Sequence, residues 1–300
     1  MVKRKFFLTT AVLLLLLFNA AVSESFEIVV LKSAEIRPYN EALEGFRTTC
    51  GCTVEEMLLS ENHGDIGMRI RAKNPDAIFA IGIDALRNVT AIKDTPVIYT
   101  MVPRSLPDNT GQRNISGISM FISPSRQFDT ILELFPKTKR IGIVYDPVRT
   151  NALVNEAVNA ARTKGIEMVV RKARGAYDVP ALIDDMEDRI DVFWMLPDTT
   201  VINPETVNYM LLFSFRNKVP VFTFSKKYVE MGALAALDIV PFDMGAQAGE
   251  IIRKLLDDGK VKSPVRADAR KTVLTINRKV ARKLGIKIRD EIMNRAENVD

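Results

Sequence analysis

Histidine is almost missing from this chain: His63, in the polar stretch Glu61-Asn62-His63-Gly64, is the only one in 300 residues. A lone loop histidine with no supporting context makes a poor general base, which argues against a Ser-His-Asp relay. Cysteine is as scarce. Cys50 and Cys52 are the only two, and with one histidine they fall short of a zinc ligand set. The Cys-Gly-Cys pair reads either as a local disulfide, a tight bridge at that spacing, or as two inert thiols. Gly-x-Ser-x-Gly does not occur, because Gly117-Ile118-Ser119 lacks the closing glycine. No glycine-rich phosphate loop follows the first apolar run, which leads into Lys32-Ser33-Ala34-Glu35. The expectation is therefore a protein that is not an enzyme and has neither cofactor nor metal.

Long apolar runs are also few. The one long enough to approach a membrane span lies at 6–18, behind Lys3, Arg4 and Lys5 and ahead of the small-residue site Ala21-Val22-Ser23. That three-part pattern reads as a secretory signal peptide over 1–23, removed after export. The formal charge is +5, and the three positive charges of that segment face no negative ones, so cleavage leaves about +2. Nothing in that balance points to nucleic acid.

What the chain has in quantity is alternation. Apolar runs at 26–31, 54–59, 77–83 and 96–101 read as strands, with helical spacing at 37–49, 65–73 and 85–93 between them. A Pro-, Asn- and Gly-rich surface loop at 103–114, carrying Arg104 and Arg113, interrupts the pattern. It restarts with a helix at 123–135 capped by Ser123-Pro124. Strands then follow at 140–145, 167–171, 192–196, 219–224 and 233–237, with helices at 152–164, 179–188 and from Asn203-Pro204-Glu205 onward. Residues 243–256 form an amphipathic helix, 260–271 a basic linker, 272–276 a strand and 278–284 a helix, before a charged, partly helical tail at 286–300. Continuous apolar strands separated by helices mark parallel sheets covered on both faces. The fold class is α/β, with two doubly wound halves joined near 117–123.

In such sheets ligands sit beyond the carboxyl ends of the strands. Those ends carry Ser33, Asp84, Tyr99 and Thr100 in the first half. In the second they carry Tyr145, Asp146, Asn151, Asp198, Thr199, Thr200, Ser225, Tyr228 and Asp238. Each alone reads as a helix cap or turn residue. Together they suit a small polar molecule: Asp198 or Asp238 to pair an ammonium, hydroxyls and helix amides to take a carboxylate, and the three tyrosines to sandwich an apolar moiety.

The pieces PVIYTMV, NISGISM, LELFPKTKRIGIVYDP, LPDTTV, VPVFTFSKKYVEMGALAALDI and GAQAGEIIRKLLDDGK, with the closing LTINRKVARKLGIKI and DEIMNRAENV, resemble the periplasmic substrate-binding proteins of ABC importers. The closer likeness is to the branch that includes tryptophan- and tyrosine-binding components. The resemblance implies a periplasmic binding protein type I fold of two Rossmann-like lobes joined by a hinge. The first lobe would take 26–118 plus 241–262, the second 119–240 plus 268–290, and 291–300 would be a charged tail. It further implies a periplasmic location, a small-molecule ligand with an amino acid as one candidate, and an ABC transporter permease as partner, the membrane being met only through that permease. The alternative is a ligand-sensing periplasmic module that signals to a receptor kinase or chemoreceptor.

Overall fold

The computed structural model describes residues 25–61, 64–104, 113–258 and 263–300. The signal segment, His63 and most of the loop at 103–114 lie outside the described residues. The first half runs β1 (Glu27–Lys32), α1 (Arg37–Cys50), β2 (Thr53–Leu58), α2 (Ile66–Ala72), β3 (Ala77–Ile81), α3 (Ile83–Val89), β4 (Val97–Val102) and β5 (Ile115–Ser119). The second begins α4 (Pro124–Leu134), β6 (Arg140–Tyr145), α5 (Pro147–Thr163), β7 (Glu167–Lys172), α6 (Val179–Asp184) and β8 (Val192–Trp194). It continues α7 (Pro204–Asn217), β9 (Val221–Thr223), α8 (Lys226–Met231) and β10 (Ala235–Ile239). The chain closes with α9 (Pro241–Asp257), β11 (Arg266–Asp268), β12 (Thr272–Asn277), α10 (Arg278–Leu284), α11 (Asp290–Arg295) and β13 (Glu297–Val299).

Two sheets result. One has the order β11-β5-β4-β3-β1-β2 and is parallel throughout. The other has the order β13-β12-β10-β9-β8-β6-β7 and is parallel except where β12 meets β10. Alternate residues of a strand feed opposite faces. Ile28 and Val30 of β1 join one core while Val29 and Leu31 join another, and both are buried. In the second sheet Ile141 and Ile143 of β6 face α4 and α5, while Val144 faces the core that α6 and α7 complete. Burial on both faces is why these strands read as unbroken apolar runs.

One expectation needs correction and another is extended. The basic linker at 260–271 holds β11, which pairs in parallel with β5 at the edge of the first sheet. The tail beyond 286 is ordered as α11 and β13, and β13 pairs with β12. Ile292 of α11 is buried in the core of the second sheet, which holds that segment down. The cysteines form a disulfide. Gly51 between them takes a left-handed φ of 62° as it ends α1, a turn that brings the two Cα atoms to 5.3 Å.

The chain passes between the sheets three times, after β5, after β10 and after β11. On its return, α9 lies against α1 almost backbone to backbone. A Cβ on Gly245 would sit 1.7 Å from the Ala42 carbonyl oxygen, and one on Gly45 would sit 1.8 Å from that of Phe242. Glycine at both places is what permits the approach. The third passage is tied to α9 by Arg270, whose guanidinium donates to Asp243 (Nε, 3.0 Å) and to Glu250 (Nη1, 2.7 Å), with Lys271 also 3.0 Å from Asp243.

Candidate functional site

At the carboxyl ends of the first sheet, Ser33 is already used. Its Oγ accepts from the Ala85 amide at 2.8 Å, fastening β1 to the start of α3. Asp84 is exposed on α3 and pairs with Arg87 at 3.0 Å. Tyr39 of α1 belongs here: Gly82 lies against both its hydroxyl and Ser33. Burial and the charge of Asp84 push the Tyr39 phenol up. The Thr100 hydroxyl is buried with no hydrogen-bond partner among the described residues. It stands just before Met101, whose φ of 56° marks an irregularity where β4 and β5 shift register.

The second lobe holds the densest polar network. Asp198 is 1% exposed, and its carboxylate accepts four hydrogen bonds. Oδ2 takes the Asp146 amide (2.8 Å) and the Thr150 hydroxyl (2.6 Å); Oδ1 takes the amides of Thr200 (2.9 Å) and Val201 (3.3 Å). Asp146 caps α5 through the Val148 amide at 2.8 Å and accepts the Thr200 hydroxyl at 2.7 Å. The Thr200 hydroxyl and the Val148 amide hold the Asp146 carboxyl below the usual carboxylate range. Thr200 also accepts from Arg149 Nε at 2.9 Å. This network staples the loop after β8 to the first turn of α5. Asp198, Asp146, Thr200 and Thr150 are brought together, and they satisfy one another; Thr199 beside them is exposed.

The tyrosines are not brought together. Tyr99 is fully buried in a core of the first sheet, and Tyr145 is buried in a core of the second, its hydroxyl donating to Asn151 at 3.2 Å. The expected three-ring sandwich therefore gives way to two core residues, each at a strand position whose side chain points into its own lobe. Tyr228 is half-buried and packs edge-on to Phe224, with centroids 5.2 Å apart. Burial pushes the Asp238 carboxyl up, against hydrogen bonds from the amides of Lys226 (3.2 Å) and Ile239 (2.8 Å) and from Ser225.

Between the lobes lies a cleft of about 260 Å³. Pro103 and Arg104 enter it from the end of β4, Met120, Phe121 and Ile122 from the first crossover, and Arg149, Thr150, Ala152 and Leu153 with Leu196 and Pro197 from the second lobe. The Arg104 guanidinium stacks over the Phe121 ring at 4.1 Å and reaches across to Glu156 on α5 at 3.2 Å. Gln127 forms part of the wall and is engaged at both ends of its amide. It accepts from Trp194 Nε1 at 2.9 Å and donates to the Ile122 carbonyl at 2.8 Å. The cleft is thus an apolar slot with two guanidinium groups on it. The sequence reading placed none of Arg104, Phe121 and Arg149 among the site residues. The available signals were position alone: Arg104 closely follows β4, Arg149 lies four residues past Tyr145, and Phe121 sits in the segment that joins the halves.

Comparison with known proteins agrees with this architecture. Over 207 residues, 65% of this chain, it is 26% identical to the tyrosine-binding protein of Clostridioides difficile (strain R20291), and the match spans 59% of that protein's length. Among solved structures, the ligand-free, open form of a substrate-binding protein with adhesive properties from Clostridium difficile superposes with a TM-score of 0.80 at 23% identity, over 92% of this chain and 99% of the other. An ABC domain from Streptococcus pneumonia in complex with L-Trp gives 0.64 at 21% identity, over 92% and 100%. The fold is that of the two-lobed periplasmic binding proteins of type I. The family described as ABC transporter substrate binding protein matches residues 61–300, and with most of its length so matched the chain belongs to that family.

Proposed function

We propose that this protein captures a small organic ligand in the cleft between its lobes and delivers it to the permease of an ABC transporter. The observation that carries the reading is the lining of that cleft. Residues of the first lobe, of the second lobe and of the first crossover all face the same space. A ligand seated there touches both lobes at once, so its binding energy favours the arrangement in which they are held together. ABC substrate-binding proteins are extracytoplasmic binding proteins, and the proposed location is the periplasm, with the membrane met only through the permease. Relatives named for tyrosine or solved with L-Trp make amino acids the natural reference panel.

The test is a thermal-shift screen of amino acids, small organic acids, amines and sugars, followed by small-angle scattering with any hit. A ligand at a hundred times its dissociation constant adds about 2.7 kcal/mol, a shift of several degrees. A hit that also lowers the radius of gyration supports capture between lobes. A hit whose affinity is unchanged by both Phe121→Ala and Arg104→Gln sinks the cleft as its site.

A further inference from the structure

If the cleft is the ligand site, as proposed above, its charges narrow the ligand further. We propose that it takes an apolar carboxylic acid lacking an amino group, with the carboxylate paired to Arg104 and Arg149 and the hydrocarbon body against Met120, Phe121, Leu153 and Leu196.

The argument is one of unmatched charge. A zwitterionic amino acid brings an ammonium group into a closed cleft, and burying it unpaired is costly. Among the described residues no carboxylate lines this cleft. The nearby acids are committed. Asp198 accepts four hydrogen bonds within its own lobe. Asp146 is held by Val148 and Thr200, and Glu156 pairs with Arg104. Three neutral acceptors on the wall each already receive a donor. The Gln127 carbonyl receives Trp194, the Ile122 carbonyl receives Gln127, and the Leu196 carbonyl receives the Asp198 amide at 2.9 Å.

The positive side is paired too, but it keeps donors to spare. Each guanidinium has five N–H donors in a planar fork that suits a carboxylate. Among the described residues, Arg104 donates one hydrogen bond, to Glu156, and Arg149 donates one, to Thr200, with the Asp146 carboxylate 3.8 Å away. Both side chains are half or more exposed at the cleft, which leaves donors free to turn toward a ligand. The rest of the lining is apolar, and the volume of about 260 Å³ lies below that of a site for a drug-sized molecule. A short aliphatic or phenyl-bearing acid matches those features.

The experiment is calorimetry on the protein with matched probes: 3-phenylpropanoate, L-phenylalanine and 2-phenylethylamine, and 4-methylpentanoate with L-leucine. The expected result is that each acid binds at least tenfold tighter than its amino-acid partner and that the amine does not bind. Arg104→Gln and Arg149→Gln should each weaken the acid at least tenfold while leaving the melting temperature of the free protein within about a degree. Arg104→Lys, which keeps the charge but loses the fork, should lose less than Arg104→Gln. Tighter binding of either amino acid overturns the inference and leaves the cleft reading intact. Failure of all five probes to bind overturns the inference and returns the cleft reading to the wider screen described above.

Discussion

Replacing Asp198 separates two roles that one carboxylate could play. The strand-end position suggests a partner for a ligand ammonium, and loss of that role would weaken binding without disturbing the fold. The structure instead shows a buried carboxylate with four donors on it. In Asp198→Ala the Val201 amide keeps the Asp198 main-chain carbonyl at 3.1 Å, and the Thr150 hydroxyl keeps that of Asp146 at 3.2 Å. The amides of Asp146 and Thr200 lose their acceptor. Each such orphaned donor costs about 1–3 kcal/mol, and bonds to a charged acceptor sit at the upper end. The substitution should therefore cost about 3–5 kcal/mol, a fall of roughly 6–20 °C in melting temperature for a domain of this size. Asp198→Asn should not rescue it fully, because one end of the amide is a donor facing another donor. The assay is urea unfolding followed by tryptophan fluorescence, since the single tryptophan, Trp194, reports on this lobe. An Asp198→Ala protein that unfolds within about 0.5 kcal/mol of the parent and binds its ligand tenfold more weakly would refute the staple.

Two further outcomes follow from the packing and the ion cluster. Gly245→Ala should gain about 1 kcal/mol of helix propensity yet lose more than it gains, a net cost of roughly 2 kcal/mol, because the new Cβ meets the unyielding carbonyl of Ala42; a raised melting temperature would show that α1 and α9 can separate freely. Burial pushes the Asp243 carboxyl up, but hydrogen bonds from Arg270 and Lys271 outweigh it and hold the group below the usual carboxylate range. A carboxyl depressed in the folded state stabilises above its unfolded pKa near 3.9, and that contribution is lost as pH falls through the lower folded value. Urea midpoints should thus show Asp243→Asn weaker than the parent at pH 7, with the gap narrowing below about pH 4; a gap independent of pH would refute the ion-pair account.

The sequence made the sheets legible because both faces of each are covered, and an apolar run such as Arg140–Tyr145 has little else to be. The three-residue strands β11 and β13 escaped notice because so short an edge strand has no period to detect. At the site, the residue types were visible but not their engagements. A carboxylate after an apolar run looks the same whether it awaits a ligand or holds the amide of Asp146, fifty-two residues away. Tyr99 and Tyr145 fell near strand ends, yet the two-residue alternation turned their rings into the cores. Arg104 and Arg149 carried no motif at all, and only the meeting of the two lobes gives them a common place.

The contact of α1 with α9 also sets a timetable. A growing chain completes α1 at residue 50 but makes its helical partner only from residue 241. Until then the face around Gly45 has no cover. The intervening lobe is also unfinished, since its strand β12 comes later still. Contacts between residues so far apart form slowly, because a long loop must close before they repay its cost. Neither half therefore has all of its packing partners until the last segments are made. For a chain that is exported, that delay is the interval in which it can still be threaded; moving the termini to the second crossover would shorten the delay without altering a single side chain.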